Sequence, residues 1–196
     1  MARSDFPDPY ARVTWRGVQM DAIDKVAFEV LEDKLGATAT IYQGGWNPGG
    51  VAASAGAHDG GGAVDFWFPG LDVTRVVRAA RSIGWDAWYR YPPLFPTHVH
   101  AIRHNSKTAS PVAKGQMADY LIGGNGLLPL GLADDDQPWR PDPIAVFTVD
   151  DYYNELRARK REASLKASLR RIGRNLKHLT RRKRKVRRQL KRLHTH

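Results

Sequence analysis

Three histidines and one aspartate lie in two short segments of the sequence, and their side chains are suited to hold a metal ion. His58 and Asp65 flank a run of glycines, and a single valine separates His98 from His100. The chain has no cysteine, and imidazole nitrogens and carboxylate oxygens are the ligands that zinc takes when thiolates are absent. A catalytic zinc needs three protein ligands and an open fourth position. These residues therefore predict a Zn²⁺ site with one histidine to spare.

Two strands would have to bring these side chains together. Residues two apart in a strand project from the same face, so a strand over 98–103 would direct His98 and His100 into one cleft. A second strand over 63–68 would carry Asp65, and the glycine-rich loop before it would bring His58 close to Asp65. Each segment alone is weak evidence, because an isolated strand histidine is more often a surface or core residue. The prediction depends on the two segments together.

The stretch from His58 to Asp65 resembles the HxxGxAxD signature of the M15 peptidases, which cleave D-Ala-D-Ala or L-Ala-D-Glu bonds of peptidoglycan and include many phage endolysins. The pair His98 and His100 is similar to the HxH element of the wider lysostaphin, D-Ala-D-Ala peptidase and hedgehog-like fold. The resemblance covers roughly residues 13–126. It implies that His58, Asp65 and His100 bind Zn²⁺ and that His98 assists catalysis.

The chain departs from the M15 pattern at the general base. Many relatives carry an acidic residue three positions before the last ligand, where this chain has Thr97. Either His98 takes the role of the base, or an acid arrives from elsewhere, for which Asp86 is our candidate. The departure also keeps open a zinc-bearing but inactive binding module, such as a structural part of a virion.

Two polar residues are candidates for substrate contacts. Gln43 ends a predicted strand where relatives often carry a group that faces substrate carbonyls, although it could equally be a solvated strand end. Relatives often place a serine two residues before the first ligand, but this chain has Gly56 there and Ser54 two positions earlier. We expect His104 at the surface and leave it out of the site.

The remaining pattern indicates an α+β fold, in which helices pack on a small antiparallel sheet. Apolar spacing before Gly36 predicts a first helix, and the pattern over 73–83 predicts a second. Ser110 followed by Pro111 is a helix cap and first-turn pair, which predicts a third helix to about Leu121. Further strands are predicted over 38–43 and 85–90, and a surface-wrapping segment over 123–142.

Charge divides the chain in two. Residues 151–196 hold 18 Lys and Arg against 3 Asp and Glu, which leaves 13 basic and 17 acidic residues for 1–150. We therefore expect a metallopeptidase domain over 1–150 and a basic amphipathic or coiled-coil helix over 151–196. Apolar residues recur at steps of four and three from Leu165 to Leu193, interrupted at Lys183, as in a heptad repeat.

The basic helix has three candidate partners. Its flanks are nearly all Lys or Arg, so a simple homodimer would bring like charges together. An anionic wall polymer or acidic membrane surface is the favoured target, an acidic protein partner or oligomer comes next, and nucleic acid is the least favoured. If nucleic acid were the partner, the protein would be a nucleic-acid-binding protein with residues 1–150 as a scaffold, which is the rival function.

Taken together, the sequence predicts a zinc-dependent peptidase that hydrolyses peptidoglycan stem peptides, as an endolysin or virion-associated lysin does. The N-terminal segment lacks the apolar core of a secretory signal. We expect the protein in the host cytoplasm and then at the cell wall after release, or in the virion.

Overall fold

The computed structural model describes residues 2–127, 129–134 and 137–193, and the fold within these ranges is α+β, as the sequence predicts. Its strands are β1 (Arg12–Trp15), β2 (Val18–Asp21), β3 (Thr40–Gln43), β4 (Ala63–Trp67), β5 (Trp85–Arg90) and β6 (His98–Arg103). Its α-helices are α1 (Ala22–Leu35), α2 (Val73–Arg81), α3 (Pro111–Leu121) and α4 (Val149–Leu193). The first two strands form a separate hairpin that the sequence analysis missed.

The other four strands form an antiparallel sheet in the order β3-β4-β6-β5. The register places Gln43 opposite Asp65, Asp65 opposite His100, and His100 opposite Trp88. Paired residues of antiparallel strands point to the same face of the sheet. The four side chains therefore form one row across the sheet.

Helices α1 and α2 cover the opposite face of the sheet. On α1, Ile23, Ala27 and Leu31 follow the spacing of one helix face, and all three are fully buried. The Phe28 ring meets Phe66 of β4 edge to face, with 4.9 Å between ring centroids. Burial of these aromatic and aliphatic groups is the main stabilising term on this side.

Helix α3 packs on the face that carries the row. Ser110 caps it by accepting a hydrogen bond from the backbone N–H of Ala113 at 3.1 Å, and Pro111 takes the first turn, as predicted. Its buried residues Ala113, Met117 and Tyr120 pack with Trp88 of β5 and other residues in one apolar cluster. Helix α3 therefore forms a wall beside the row of polar side chains.

The segment after α3 follows the surface without a helix or a named strand in its described residues, as predicted. A buried arginine on α2, Arg81, holds this segment in place. It pairs with Asp134 at 2.6 Å and also donates to the backbone oxygens of Gln137 and Trp139. Because Arg81 is almost fully buried, these partners satisfy a charge that would otherwise be costly.

The chain divides into two compact units, Met1–Tyr153 and Asn154–His196. The first turn of α4 belongs to the first unit, where Tyr152 is buried and its hydroxyl donates to the Pro7 carbonyl at 3.1 Å. In its described residues the second unit is the rest of α4, and the helix as a whole begins two residues before the range 151–196 that the sequence predicts. Its apolar side chains, such as Leu165, Leu169 and Ile172, are more than half exposed.

A search of the described residues finds no helix that combines the length and the apolar character needed to cross a membrane.

Candidate metal centre

The row across the sheet brings His58, Asp65 and His100 together, as the sequence predicts. Nδ1 of His100 lies 2.7 Å from Oδ1 of Asp65, and Nε2 of His58 lies 3.3 Å from each of these two atoms. Together they form a group that could hold a metal ion. In a tetrahedral zinc site with bonds of about 2.0–2.1 Å, ligand atoms are separated by roughly 3.3 Å. Two of the three separations therefore already have the spacing of such a site.

The outer nitrogen of each histidine in the cluster has a partner that fixes the ring. Nδ1 of His58 donates to the Gly44 carbonyl at 3.0 Å, because a carbonyl oxygen can only accept. Nε2 of His100 lies 3.3 Å from the side-chain oxygen of Gln116. The Gln116 amide is held in this orientation because its nitrogen donates to the Gly126 carbonyl at 2.7 Å. Such outer partners commonly orient metal-binding histidines.

In the tautomer in which the outer nitrogens donate, the inner nitrogens of His58 and His100 present lone pairs, as the Asp65 carboxylate does, and a cation among them would bind all three. Without a cation, a proton between His100 and Asp65 at 2.7 Å forms a hydrogen bond instead. Burial lowers the pKa of His100, although hydrogen bonding to Asp65 opposes this effect. Burial alone would raise the pKa of Asp65, but His100 and His58 lower it below its usual range. Two neutral imidazoles and one carboxylate fit a divalent metal such as zinc.

The glycine-rich loop between His58 and Asp65 is held by the N-terminal end of α1. Asp24 accepts a hydrogen bond from the backbone N–H of Gly62 at 2.8 Å and also pairs with Arg103 at 2.5 Å. A Cβ on Gly60 would lie 2.3 Å from the Thr108 carbonyl oxygen. The loop therefore needs glycine at this position to return His58 to the cluster.

The cluster lies in the wall of a cavity of about 510 Å³, which His98 also lines. Nδ1 of His98 donates to the Pro96 carbonyl at 2.7 Å, which leaves the Nε2 lone pair available. Nε2 lies 3.9 Å from Oδ1 of Asp65. His98 therefore has the tautomer and the position that a general base would need beside a metal ion held by the cluster.

Asp86, the other candidate for the base, lies elsewhere. It faces Ile102 on β6, is buried, and pairs with Nδ1 of His104 through both oxygens at 2.9 Å. Burial raises its pKa, against the opposing effect of His104. The prediction that His104 lies at the surface is wrong, because Asp86 draws it into the interior. Of the two candidates, His98 is the one that lines the cavity.

The two candidate substrate contacts both line the cavity. Gln43 is buried, so the alternative of a solvated strand end is wrong. Its side-chain oxygen accepts from the Ser54 hydroxyl at 3.1 Å, and its side-chain nitrogen is buried and has no hydrogen-bond partner among the described residues. Thr97 also lines the cavity. Gln43 therefore offers a free donor beside Asp65.

Two residues at the centre, Gln116 and Arg90, were not predicted from the sequence. Gln116 orients His100 from α3, Trp88 stacks on the His100 ring with 5.8 Å between centroids, and Arg90 lines the cavity beside His98. The apolar spacing of α3 predicts which face of that helix is buried, but not that a polar residue on it meets β6. Arg90 ends a predicted strand, and nothing in its local sequence marks it as buried.

Comparisons of the chain with protein-family models, with curated proteins and with solved structures gave no match.

Proposed function

We propose that this protein is a zinc-dependent peptidase that hydrolyses the stem peptides of bacterial peptidoglycan. The observation that supports this most directly is the convergence of His58, Asp65 and His100 in the wall of a cavity that also contains an available imidazole nitrogen of His98. The spacing of these residues in the sequence, which resembles that of the M15 peptidases, supplies the substrate class.

The residues that line the cavity have different roles in the proposed hydrolysis. A bound zinc ion supplies Lewis acidity, which polarises a carbonyl and lowers the pKa of water. Nε2 of His98 accepts a proton from the attacking water and can return it to the departing amine as the C–N bond breaks. The free side-chain N–H of Gln43 donates to a substrate carbonyl oxygen. The products are a carboxylate and an amine.

The exposed basic helix is proposed to concentrate the enzyme on an anionic wall polymer or an acidic membrane surface. Residues 154–196 carry 18 Lys and Arg against 2 Asp and Glu. Such a helix can lie on a polyanionic surface with its apolar residues turned inward.

A second candidate function is metal binding without hydrolysis. Thr97 lines the cavity and stands three residues before His100, where the resembling M15 peptidases often have their acidic base, so an inactive binding module would keep the same ligands. The two candidates differ in whether His98 can replace the acid.

The decisive experiment incubates zinc-loaded protein with purified peptidoglycan fragments, with and without a chelator, and identifies products by mass spectrometry. A product that the chelator suppresses is expected, and its mass identifies the bond. No product from a sample with one zinc per chain would overturn the peptidase and favour the binding module.

A further inference from the structure

Arg90 is a buried cation in the wall of the cavity that holds the ligand cluster. It is 6% exposed, and β5 places it directly opposite His98 in the sheet register. Its Nη2 atom is buried and has no hydrogen-bond partner in the part of the chain that the structure describes. An unpaired guanidinium N–H in the interior costs free energy comparable to a lost charged hydrogen bond.

The neighbouring aromatic rings hold the Arg90 side chain in place but cannot accept the hydrogen bond that its Nη2 atom could donate. The guanidinium carbon lies 5.6 Å from the Trp88 ring and 6.0 Å from the Phe95 ring, so two aromatic faces hold the group. Burial lowers the pKa of Arg90 to about 10, against the attraction of Asp134 and Asp65. The side chain therefore remains positively charged at neutral pH.

Neither of these acidic residues is a free partner for Arg90. Asp134 is paired with Arg81 at 2.6 Å, and Asp65 belongs to the ligand cluster. A bound divalent metal would neutralise Asp65 further. Within the described ranges, the fold thus retains a desolvated positive charge beside the cluster, with a donor that no other residue accepts from.

We propose that Arg90 binds a carboxylate of the substrate next to the bond that is cut, so that the preferred substrates are peptides with a free carboxylate at that position. The inference rests on the proposed peptidase function and specifies its substrate. A guanidinium binds a carboxylate through two parallel N–H donors, and Arg90 pairs with His98 in the sheet register and lines the same cavity, which favours a carboxylate close to the scissile bond.

A stem peptide has two carboxylates that could occupy this position. One is the C-terminal carboxylate, and the other is the α-carboxylate of the isoglutamate residue. Three synthetic pentapeptide stems separate them: the free acid, the C-terminal amide, and the peptide with isoglutamine in place of isoglutamate. Each is tested with the zinc-loaded, full-length protein, and hydrolysis is followed by mass spectrometry.

The wild-type protein is expected to favour the free acid over one of the two amidated peptides by about 10- to 100-fold in kcat/KM, the range of a charged hydrogen-bonded contact. Arg90→Met should remove most of this preference, and Arg90→Lys should retain part of it because the charge remains. Arg78→Met, which changes an exposed arginine on α2, should leave it unchanged. Equal rates of the wild-type protein on all three peptides would overturn the inference.

Binding to the metal-free protein separates this inference from the proposed function. Titration calorimetry with the same three peptides should show the preference for one carboxylate without any hydrolysis. If the zinc-loaded protein cuts none of them but the binding preference is present and lost in Arg90→Met, the peptidase fails and the carboxylate site stands. If all three peptides bind equally, or the preference survives in Arg90→Met, the carboxylate site fails whatever the rate of hydrolysis.

Discussion

Gln116 fixes the outer nitrogen of His100, because its side-chain oxygen lies 3.3 Å from Nε2 and its own amide nitrogen is anchored on the Gly126 carbonyl at 2.7 Å. Gln116→Leu keeps the bulk of the side chain but removes the acceptor. Loss of such an outer partner typically lowers metal affinity by about 10- to 100-fold. We expect a loss in this range, measured by zinc competition with a chromophoric chelator.

The matched control for this change is Gln19→Leu, which alters an exposed glutamine on β2. Its zinc affinity should equal that of the wild-type protein. An unchanged affinity in Gln116→Leu would mean that the ring of His100 is held by packing on Trp88 alone.

Alanine substitutions should distinguish the proposed metal ligands from the proposed base. His58→Ala and His100→Ala remove one of three ligand atoms, so both should purify with little or no zinc. His98→Ala should retain about one zinc per chain and lose hydrolysis by about 100-fold or more, the usual contribution of a general base. Elemental analysis measures the metal, and release of peptide fragments measures the activity.

His178, which lies exposed on α4, offers a control for histidine replacement. His178→Ala should change neither the zinc content nor the rate of hydrolysis. Full activity in His98→Ala would remove His98 from the mechanism, and zinc loss in that variant would make it a ligand.

Stability should depend on pH through Asp21. Burial and then repulsion by Asp24 raise the pKa of Asp21 to about 6, although Thr108 and Trp46 donate hydrogen bonds to it. The unfolded value is about 3.9, so the folded state binds the proton more tightly. The stabilising contribution of the protonated form is complete below about pH 4 and is lost as the pH rises through about 6.

Asp21→Asn removes this dependence, because the uncharged amide oxygen can still accept from Trp46 while the amide N–H donates to the Thr108 hydroxyl. Urea unfolding of the variant and of the wild-type protein, at intervals from pH 4 to pH 7, measures the difference in unfolding free energy. The variant should gain stability relative to the wild-type protein as the pH rises. A difference that stays constant across this range would show that Asp21 titrates normally.

Truncation should distinguish the two parts of α4. A chain ending at Tyr153 keeps Tyr152 and Tyr153, which are buried in the first unit, so its thermal stability should match that of the full-length protein. A chain ending at Thr148 loses both side chains and should be destabilised by at least about 3 kcal/mol, the cost typical of deleting a buried aromatic side chain. Circular dichroism melting compares them.

The chain ending at Tyr153 also tests the basic helix. It should sediment less with purified cell walls or anionic vesicles than the full-length protein, and the difference should shrink at high salt because screening weakens charge attraction. Its cleavage of small soluble stem peptides should be unchanged. Equal sedimentation of both forms would place the wall-binding surface in the first unit.

Local patterns predicted most of the elements that form the fold. The cap at Ser110 and Pro111 marks the start of α3, and the limits of β5 and β6 match their predicted ranges. The hairpin of β1 and β2 was missed although its two strands alternate polar and apolar residues and are joined by the two-residue turn of Arg16 and Gly17, a pattern typical of a hairpin. Helix α4 begins at Val149, two residues before the predicted start at 151, and its first turn is fixed by contacts such as that of Tyr152 with Pro7.

The candidate ligands were predictable because their spacing is a property of the chain. The groups that support them were not, because their role depends on distant pairings in the fold. Asp24 and Gly62 are far apart in the sequence but meet through a hydrogen bond of 2.8 Å, and Gln116 reaches His100 from a different element. The spacing of residues within a strand or helix contains no information about such pairs.

The fluorescence of Trp88 should respond to changes at His100. Its ring lies nearly parallel to that of His100, with an interplanar angle of 20°, and its indole N–H is tied to the Gly124 carbonyl at 2.9 Å. Any change in the charge or protonation of the imidazole alters the electric field at the indole. Binding of a metal ion at His100 should therefore change the fluorescence of Trp88, one of the six tryptophans of the chain.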